Sequence, residues 1–361
     1  MSTFEELDRA TIAETIHTVQ AAVPVTFTWD YERSRDGLSR LYEKAKTSQW
    51  NASTDLDWTI DVDPERVTSQ LGGSPRERFA DLVDHPDSPV RNFGDKEWTR
   101  LGIELQNSLL SQFMHGEQGA LLTTARIVET VPWIDAKYYA ATQVMDEARH
   151  VEVFARYLHE KLGRQYSIND NLRRLLDDIL ADSRWDVTYL GMQIMVEGLA
   201  LAAFGFMHHI TDEPLLKRLL RYVMSDEARH VAFGVLSLQE YYAGLSATEL
   251  RERQEFAFDA AVRLQQRFRQ AEVWERMGAD PKAVLSFLAD HEPPGAQEFQ
   301  VLLFSKIVPN CKKLGLLDAG DGWLRHKFAE VNILQFEDWA DTSSEYELLD
   351  EVARDRESAA G

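Results

Sequence analysis

The sequence is short of the features that mark most other functional classes. Cys311 is the one cysteine in 361 residues, which excludes an intramolecular disulfide framework and fits a reducing cytoplasm. No apolar run approaches the ~20 residues of a membrane-spanning helix. The longest, near Val196 to Met207, contains Glu197. The opening Met1-Ser2-Thr3-Phe4-Glu5-Glu6 lacks a positive region followed by an apolar stretch, so no secretory signal is expected. These absences predict a soluble cytoplasmic protein. Positive charge is also in deficit, with 39 Lys and Arg against 60 Asp and Glu, a formal charge of −21. Such a surface repels polyanions and disfavours nucleic acid as a partner. There is no low-complexity segment, no Gly-x-Gly-x-x-Gly, no phosphate-binding Gly-Lys-Ser/Thr loop, no His-Glu-x-x-His and no Gly-x-Ser-x-Gly. With no flavin or nicotinamide domain, reducing electrons for any redox chemistry must come from another protein.

What the chain does contain is a repeat. Asp146-Glu147-Ala148-Arg149-His150-Val151 recurs letter for letter as Asp226-Glu227-Ala228-Arg229-His230-Val231. Each copy holds Glu-x-x-His, and a spacing of three puts carboxylate and imidazole on one face of an α-helix. Thirty residues before each of these glutamates lies another, Glu117 and Glu197, in runs of mainly apolar or small residues. Helix breakers fall near the middle of each interval: Pro132 in the first, Thr211-Asp212 with Pro214 in the second. At ~1.5 Å per residue, arms of about 14 or 15 residues run roughly 21 to 23 Å out and back, so the two glutamates of each hairpin end level. Two such hairpins give four helices carrying Glu, Glu-x-x-His, Glu and Glu-x-x-His, the ligand pattern of dinuclear carboxylate bundles.

One buried glutamate is costly, and several facing one another need cations or altered protonation. Two divalent or trivalent metals meet that need directly. Asp146 and Asp226 each precede a ligand glutamate, and each can reach across to the opposite histidine, Asp146 to His230 and Asp226 to His150. Arg149 and Arg229 would offset them. Gln143 and Gln193 lie one turn before Glu147 and Glu197; they read as hydrogen-bonded core amides or as polar contacts to a substrate. Phe113, Phe154, Leu201 and Phe204 are core side chains or the walls of an apolar pocket. His115, His208 and His209 sit at poor angles to the ligand stripe and are expected not to ligate.

The arrangement resembles the ferritin-like diiron-carboxylate oxygenases. Asp-Glu-x-Arg-His in both halves is similar to the hydroxylase subunits of multicomponent monooxygenases, benzoyl-CoA epoxidase and the arylamine N-oxygenases, over roughly residues 95 to 245. The resemblance implies one iron at Glu117, Glu147 and His150 and a second at Glu197, Glu227 and His230, with one or two glutamates bridging. Ligand type alone does not separate iron from manganese. It further implies O₂ activation and oxidation of a mostly apolar small molecule, with hydroxylation, epoxidation, N-oxygenation and desaturation all open. A ferredoxin or reductase would be the electron donor, a homodimer is the usual assembly, and no catalytic side chain is expected beyond the metal ligands. There are departures. Phe154 occupies the place of the radical tyrosine of ribonucleotide reductase small subunits, Leu201 that of the hydroxylases' threonine, and Val223 that of the N-oxygenases' extra histidine. The alternatives are a ferroxidase or iron-handling protein and a radical-generating subunit of the reductase type.

The fold expected is all-α, a ferritin-like four-helix bundle with additional N- and C-terminal helices. Residues 1–94 form a helical and irregular extension, 95–245 the bundle, 246–337 C-terminal helices packed on it, and 338–361 an acidic tail. Helical patterns are read at Thr11 to Val23 and Arg33 to Ala45, with Trp50 to Trp58 irregular. Asp95 reads as the cap of the first bundle helix, and Ser246-x-x-Glu249 opens a helix reaching Gly278. Basic residues at Lys217, Arg218 and Arg221, and at Arg251, Arg253, Arg263, Arg267 and Arg269, read as solvated helix faces or as a docking patch for an acidic electron-transfer protein.

Overall fold

Four helices form the centre of the molecule: α2 (Asp95–Thr130), α3 (Ile134–Tyr157), α5 (Trp185–Ile210) and α6 (Pro214–Ala243). In front of them is α1 (Asp36–Thr47), α4 (Asp170–Ala181) crosses between the hairpins, and α7 (Ala247–Arg267) closes the far side. The computed structural model describes residues 16–70, 74–291, 301–344 and 346, and among these there are helices and loops but no strand. The expected all-α bundle is the architecture observed.

The breakers turn the chain where the sequence put them. Residues 131–133 join α2 to α3 and residues 211–213 join α5 to α6, so each hairpin is antiparallel. Glu213 caps α6, its carboxylate accepting from the N–H groups of Leu215 (2.9 Å) and Leu216 (2.7 Å), while Pro214 fills the first turn, where a missing N–H costs nothing. The Tyr157 hydroxyl donates to the same carboxylate at 2.9 Å and ties the end of α3 to the start of α6. At α2 the cap is Gly94 and not Asp95. The Gly94 N–H donates to Glu97 at 2.9 Å, which leaves Asp95 as the first helical residue.

Contrary to the expectation that no apolar run approaches spanning length, helix α5 is long and apolar enough to cross a membrane, yet 83% of its most apolar window is buried within the protein. It is not a uniform α-helix. Residues Leu190–Val196 are π-helical, inserted between α segments Trp185–Tyr189 and Glu197–Ile210. Such bulges shift the phase of everything after them, and here the residue that follows is Glu197. Helix α6 comes close at this point: a Cβ added to Gly234 would lie 2.6 Å from Gln193 Cβ, so only glycine fits.

Outside the bundle the structure departs from the sequence pattern in three places. Residues 16–35 carry no helix, and the expected helix of Thr11 to Val23 otherwise lies outside the described residues. The β-branched run around Pro24 favours extended backbone, and that backbone is tied down by Thr26 N–H to Glu129 O (2.8 Å) and Thr28 Oγ1 to Pro132 O (2.7 Å). Helix α7 keeps its Ser246/Glu249 capping box but ends at Arg267, because Gln270 takes a left-handed φ of 46° before a short helix at Ala271–Arg276. The basic row on α7 is no single solvated face: Arg253 is buried and pairs with Asp186 through two bonds of 2.9 and 3.1 Å, and Arg267 is 3% exposed.

Candidate metal centre

Halfway along the bundle six side chains converge, one from α2, two from α3, one from α5 and two from α6. Glu117, Glu147, His150, Glu197, Glu227 and His230 are all at most 4% exposed. Glu117, Glu147, His150 and Glu227 form one group whose ligand atoms lie within 4.8 Å of one another; Glu147, Glu197 and His230 form a second. Glu147 belongs to both. His150 Nδ1 is 3.1 Å from Glu227 Oε1 and 3.6 Å from Glu147 Oε2, and His230 Nδ1 is 3.0 Å from Glu147 Oε1 and 3.5 Å from Glu227 Oε1. Glu147 and Glu227 therefore stand between the two imidazoles. Glu117 (3.2 Å from His150 Nδ1) lies at one end, and Glu197 falls with His230 at the other.

Several of these atoms have no hydrogen-bond partner although they are fully buried: Glu147 Oε2, Glu197 Oε2, both oxygens of Glu227 and Nδ1 of His230. Buried lone pairs left unmatched by protein donors are costly, and they face one another across short gaps. The donor set, carboxylate oxygen plus neutral imidazole nitrogen, suits iron or manganese. The site fits two metal ions.

The electrostatics of the cluster without cations lead to the same requirement. Burial raises the Glu117 carboxyl well above the ordinary range, and Glu227 beside it adds to the effect. Burial does the same to Glu197, reinforced by Glu147 and Glu227. For Glu147 burial acts upward too, but the two histidines outweigh it and hold the group below its ordinary value. Four carboxylates in one dry space cannot all stay ionised without positive charge among them.

The surroundings fix the histidines. A carboxylate can only accept, so Asp226 Oδ2 at 3.1 Å and Asp146 Oδ2 at 3.4 Å keep the protons on Nε2 of His150 and His230 and turn each Nδ1 lone pair to the centre. This is the cross-bundle pairing the repeat predicts. Arg149 Nη2 donates to Asp146 at 2.5 Å and to Asp226 at 3.2 Å, and Arg229 donates to Asp226. Gln143 Nε2 donates to both Glu147 Oε1 and Glu197 Oε1, each at 3.0 Å, so this amide orients two candidate ligands. Gln193 is buried with Nε2 3.5 Å from Thr124 Oγ1. His115 bonds the Tyr166 carbonyl at 2.8 Å, while His208 and His209 belong to neither ligand group.

Two participants come from outside the bundle and carry no sequence signal, because they sit at the end of α1 and in the irregular stretch after it. Gln49 donates to Asp146 (3.2 Å) and accepts from Arg149 (2.9 Å). Trp50 Nε1 donates to Asp226 Oδ2 at 2.8 Å, its ring stacked 6.5 Å from that of His150 and beneath the Arg149 guanidinium at 4.6 Å. A third is Arg267.

Beside the centre is a narrow cleft of ≈ 10 Å³, room for about one water, bounded by Glu117, Glu197 and Glu227. Its apolar walls are Phe113, Ala120, Val196 and Ala200, and Arg267 closes one side. Of the six residues expected around a pocket, Phe113 lines this cleft. Phe154 and Phe204 stack at 5.5 Å in the core behind it, Leu201 is buried core, and Gln143 and Gln193 are bonded as described. A Cβ at Gly116, on the cleft wall, would meet nothing within 4 Å.

No protein-family model matches the chain, and no curated protein does. Among solved structures, a mutant R2-like ligand-binding oxidase with an anaerobically reconstituted Mn/Fe cofactor is similar at 19% identity, covering 79% of this chain and 94% of that one, with a TM-score of 0.47. An R2-like ligand-binding oxidase with an aerobically reconstituted metal cofactor after photoconversion is similar at 17% identity over 90% of this chain and 94% of that one, TM-score 0.43. Likenesses of this size bring no chemistry to the present chain, whose site stands on its own geometry.

Proposed function

We propose that the protein is a diiron oxygenase that uses O₂ to oxidise a small molecule with a mainly apolar body. One observation carries the reading: two buried ligand groups share Glu147, and Glu147 Oε2, Glu197 Oε2 and both oxygens of Glu227 have no hydrogen-bond partner in the protein. Glu117, Glu147 and His150 with Glu227 would hold one ion, and Glu197 and His230 with the inner glutamates the other. A pair of iron ions, when bound, supplies the redox equivalents for reducing O₂.

The chain's own residues do the rest. Asp146 and Asp226 keep the imidazole lone pairs aimed at the centre, Gln143 holds Glu147 and Glu197 in register, and the apolar walls of Phe113, Val196 and Ala200 exclude water from the reacting face. The overall reaction places one oxygen atom in the product and releases the other as water, consuming two electrons and two protons. Those electrons come from an external ferredoxin or reductase. Hydroxylation, epoxidation and N-oxygenation share this balance. A homodimer belongs to the same reading, supported by Val25, Phe27, Trp29 and Tyr31, which leave an exposed apolar row at every second residue.

The test is aerobic incubation of the reduced, iron-loaded protein with a panel of small molecules, following O₂ consumption and product mass. A gain of one oxygen atom in a product supports the reading. O₂ consumption coupled only to iron mineral formation would replace it with an iron-handling role.

A further inference from the structure

Arg267 is the last residue of α7, outside the four helices that carry the ligand set, and its side chain is buried against the cleft. Its guanidinium lies 5.6 Å over the ring of Phe113 and 5.0 Å from that of Phe268, and neither Nε nor Nη1 has a hydrogen-bond partner. An arginine buried without a carboxylate bonded to it is costly, since two or more strong donors are removed from water with nothing to donate to. Burial pushes its pKa down to about 10, which still leaves it charged at neutral pH.

Glu117 is the nearest source of compensation, acting on Arg267 at a distance without a hydrogen bond. The charge balance of the loaded site removes even that. Glu117, Glu147, Glu197 and Glu227 carry four negative charges, matched by two divalent ions; Asp146 and Asp226 are matched by Arg149 and Arg229. Arg267 is left over, a single positive charge on the wall of an otherwise neutral, mostly apolar cleft.

We propose that Arg267 is a seat for the carboxylate of the substrate, so that the molecule oxidised is an organic acid whose apolar body parts Phe113, Ala120 and Val196 as it enters, the cleft being narrower than such a molecule. This rests on the dimetal reading given above. A planar guanidinium offers two parallel donors to a carboxylate. A single anionic charge matches the single unbalanced cation, whereas a phosphate dianion would bring excess charge beside Glu117, Glu197 and Glu227. The acid is held at the α7 side of the cleft and its body directed toward the ligand cluster, which makes Arg267 a binding residue and a determinant of which carbon is presented.

The experiment is calorimetric titration of the full chain loaded with zinc, which is redox-inert, using hexanoate and benzoate against hexanamide, benzamide and inorganic phosphate. Metal content is measured on the same samples. The acids are expected to bind at least tenfold more tightly than their amides. Arg267→Gln is expected to lose about thirtyfold or more of the acid affinity while amide binding is unchanged, and Arg267→Lys to recover part of it. Circular dichroism melts establish that each variant is folded. Two metals per chain with equal binding of acid and amide, or with acid binding indifferent to Arg267→Gln, would overturn the carboxylate seat and leave the dimetal reading intact. Acid-selective binding that needs Arg267 in a chain holding no metal would keep the seat and sink the dimetal reading. Tighter binding of phosphate than of either acid would overturn the choice of carboxylate.

Discussion

The two hairpins of the bundle carry the same six-residue string and are not equivalent. In the first, α2 is regular α-helix through Glu117, which faces the cleft and Arg267. In the second, a π-helical segment leads directly into Glu197, and the Gln143 amide from the other hairpin holds its carboxylate. The aspartates differ as well. Asp226 receives Trp50, Arg149, Arg229 and His150, whereas Asp146 receives Gln49, Arg149 and a longer contact from His230. Identical strings place a near-symmetric set of donor atoms at the centre. The outside elements α1 and α7 and the irregular segment at Trp50 break that symmetry.

The largest effect expected from this comparison concerns the shared ligand. Glu147→Ala, which touches both ligand groups, should leave less than half of one metal per chain by elemental analysis, and His230→Ala should also remove most of the metal. Glu117→Ala and Glu197→Ala each damage one end and should retain about one ion. Equal retention in all four variants would restore the symmetric picture.

Next is the pair of aspartates. Asp226→Asn disturbs four partners and leaves buried arginine charge uncompensated, so it should weaken metal binding about 10- to 100-fold and lower stability by about 3 kcal/mol in chemical denaturation. Asp146→Asn should do less on both measures. The reverse order would mean that Trp50 and the second arginine contribute nothing to holding Asp226.

The glycines give a sharper contrast at smaller magnitude. Gly234→Ala forces a methyl group to 2.6 Å from Gln193 Cβ, where α6 meets the π segment, and should destabilise by roughly 1 to 3 kcal/mol. Gly116→Ala meets nothing within 4 Å and should stabilise α2 by about 0.5 to 1 kcal/mol. Gly116→Leu should fill the cleft, abolishing hexanoate binding with two metals retained. Smallest of all, Trp50→Phe keeps the ring and loses one hydrogen bond, for about 1 kcal/mol.

The legible part of the site was the part written in helical period. Glu-x-x-His at three-residue spacing and glutamates thirty residues upstream are consequences of one geometry, and with the turns near Pro132 and Pro214 they fixed the hairpins and the convergence of all six side chains. The cross-bundle aspartates followed from adjacency to a ligand. What escaped the reading lies where period gives no information. Gln49 and Trp50 act from a helix end and an irregular stretch. Arg267 looked like one more member of a basic surface row until packing buried it. The π segment is invisible to an argument that assumes 3.6 residues per turn, and the break at Gln270 uses a left-handed conformation that glutamine rarely signals.

The most direct test of the dimetal account is an anomalous-scattering crystal structure of the iron-loaded protein at the iron edge. Two peaks roughly 3.5 to 4 Å apart, both within bonding distance of Glu147 and flanked by His150 and His230, are the predicted result. A single peak, or iron found away from these six side chains, would contradict it.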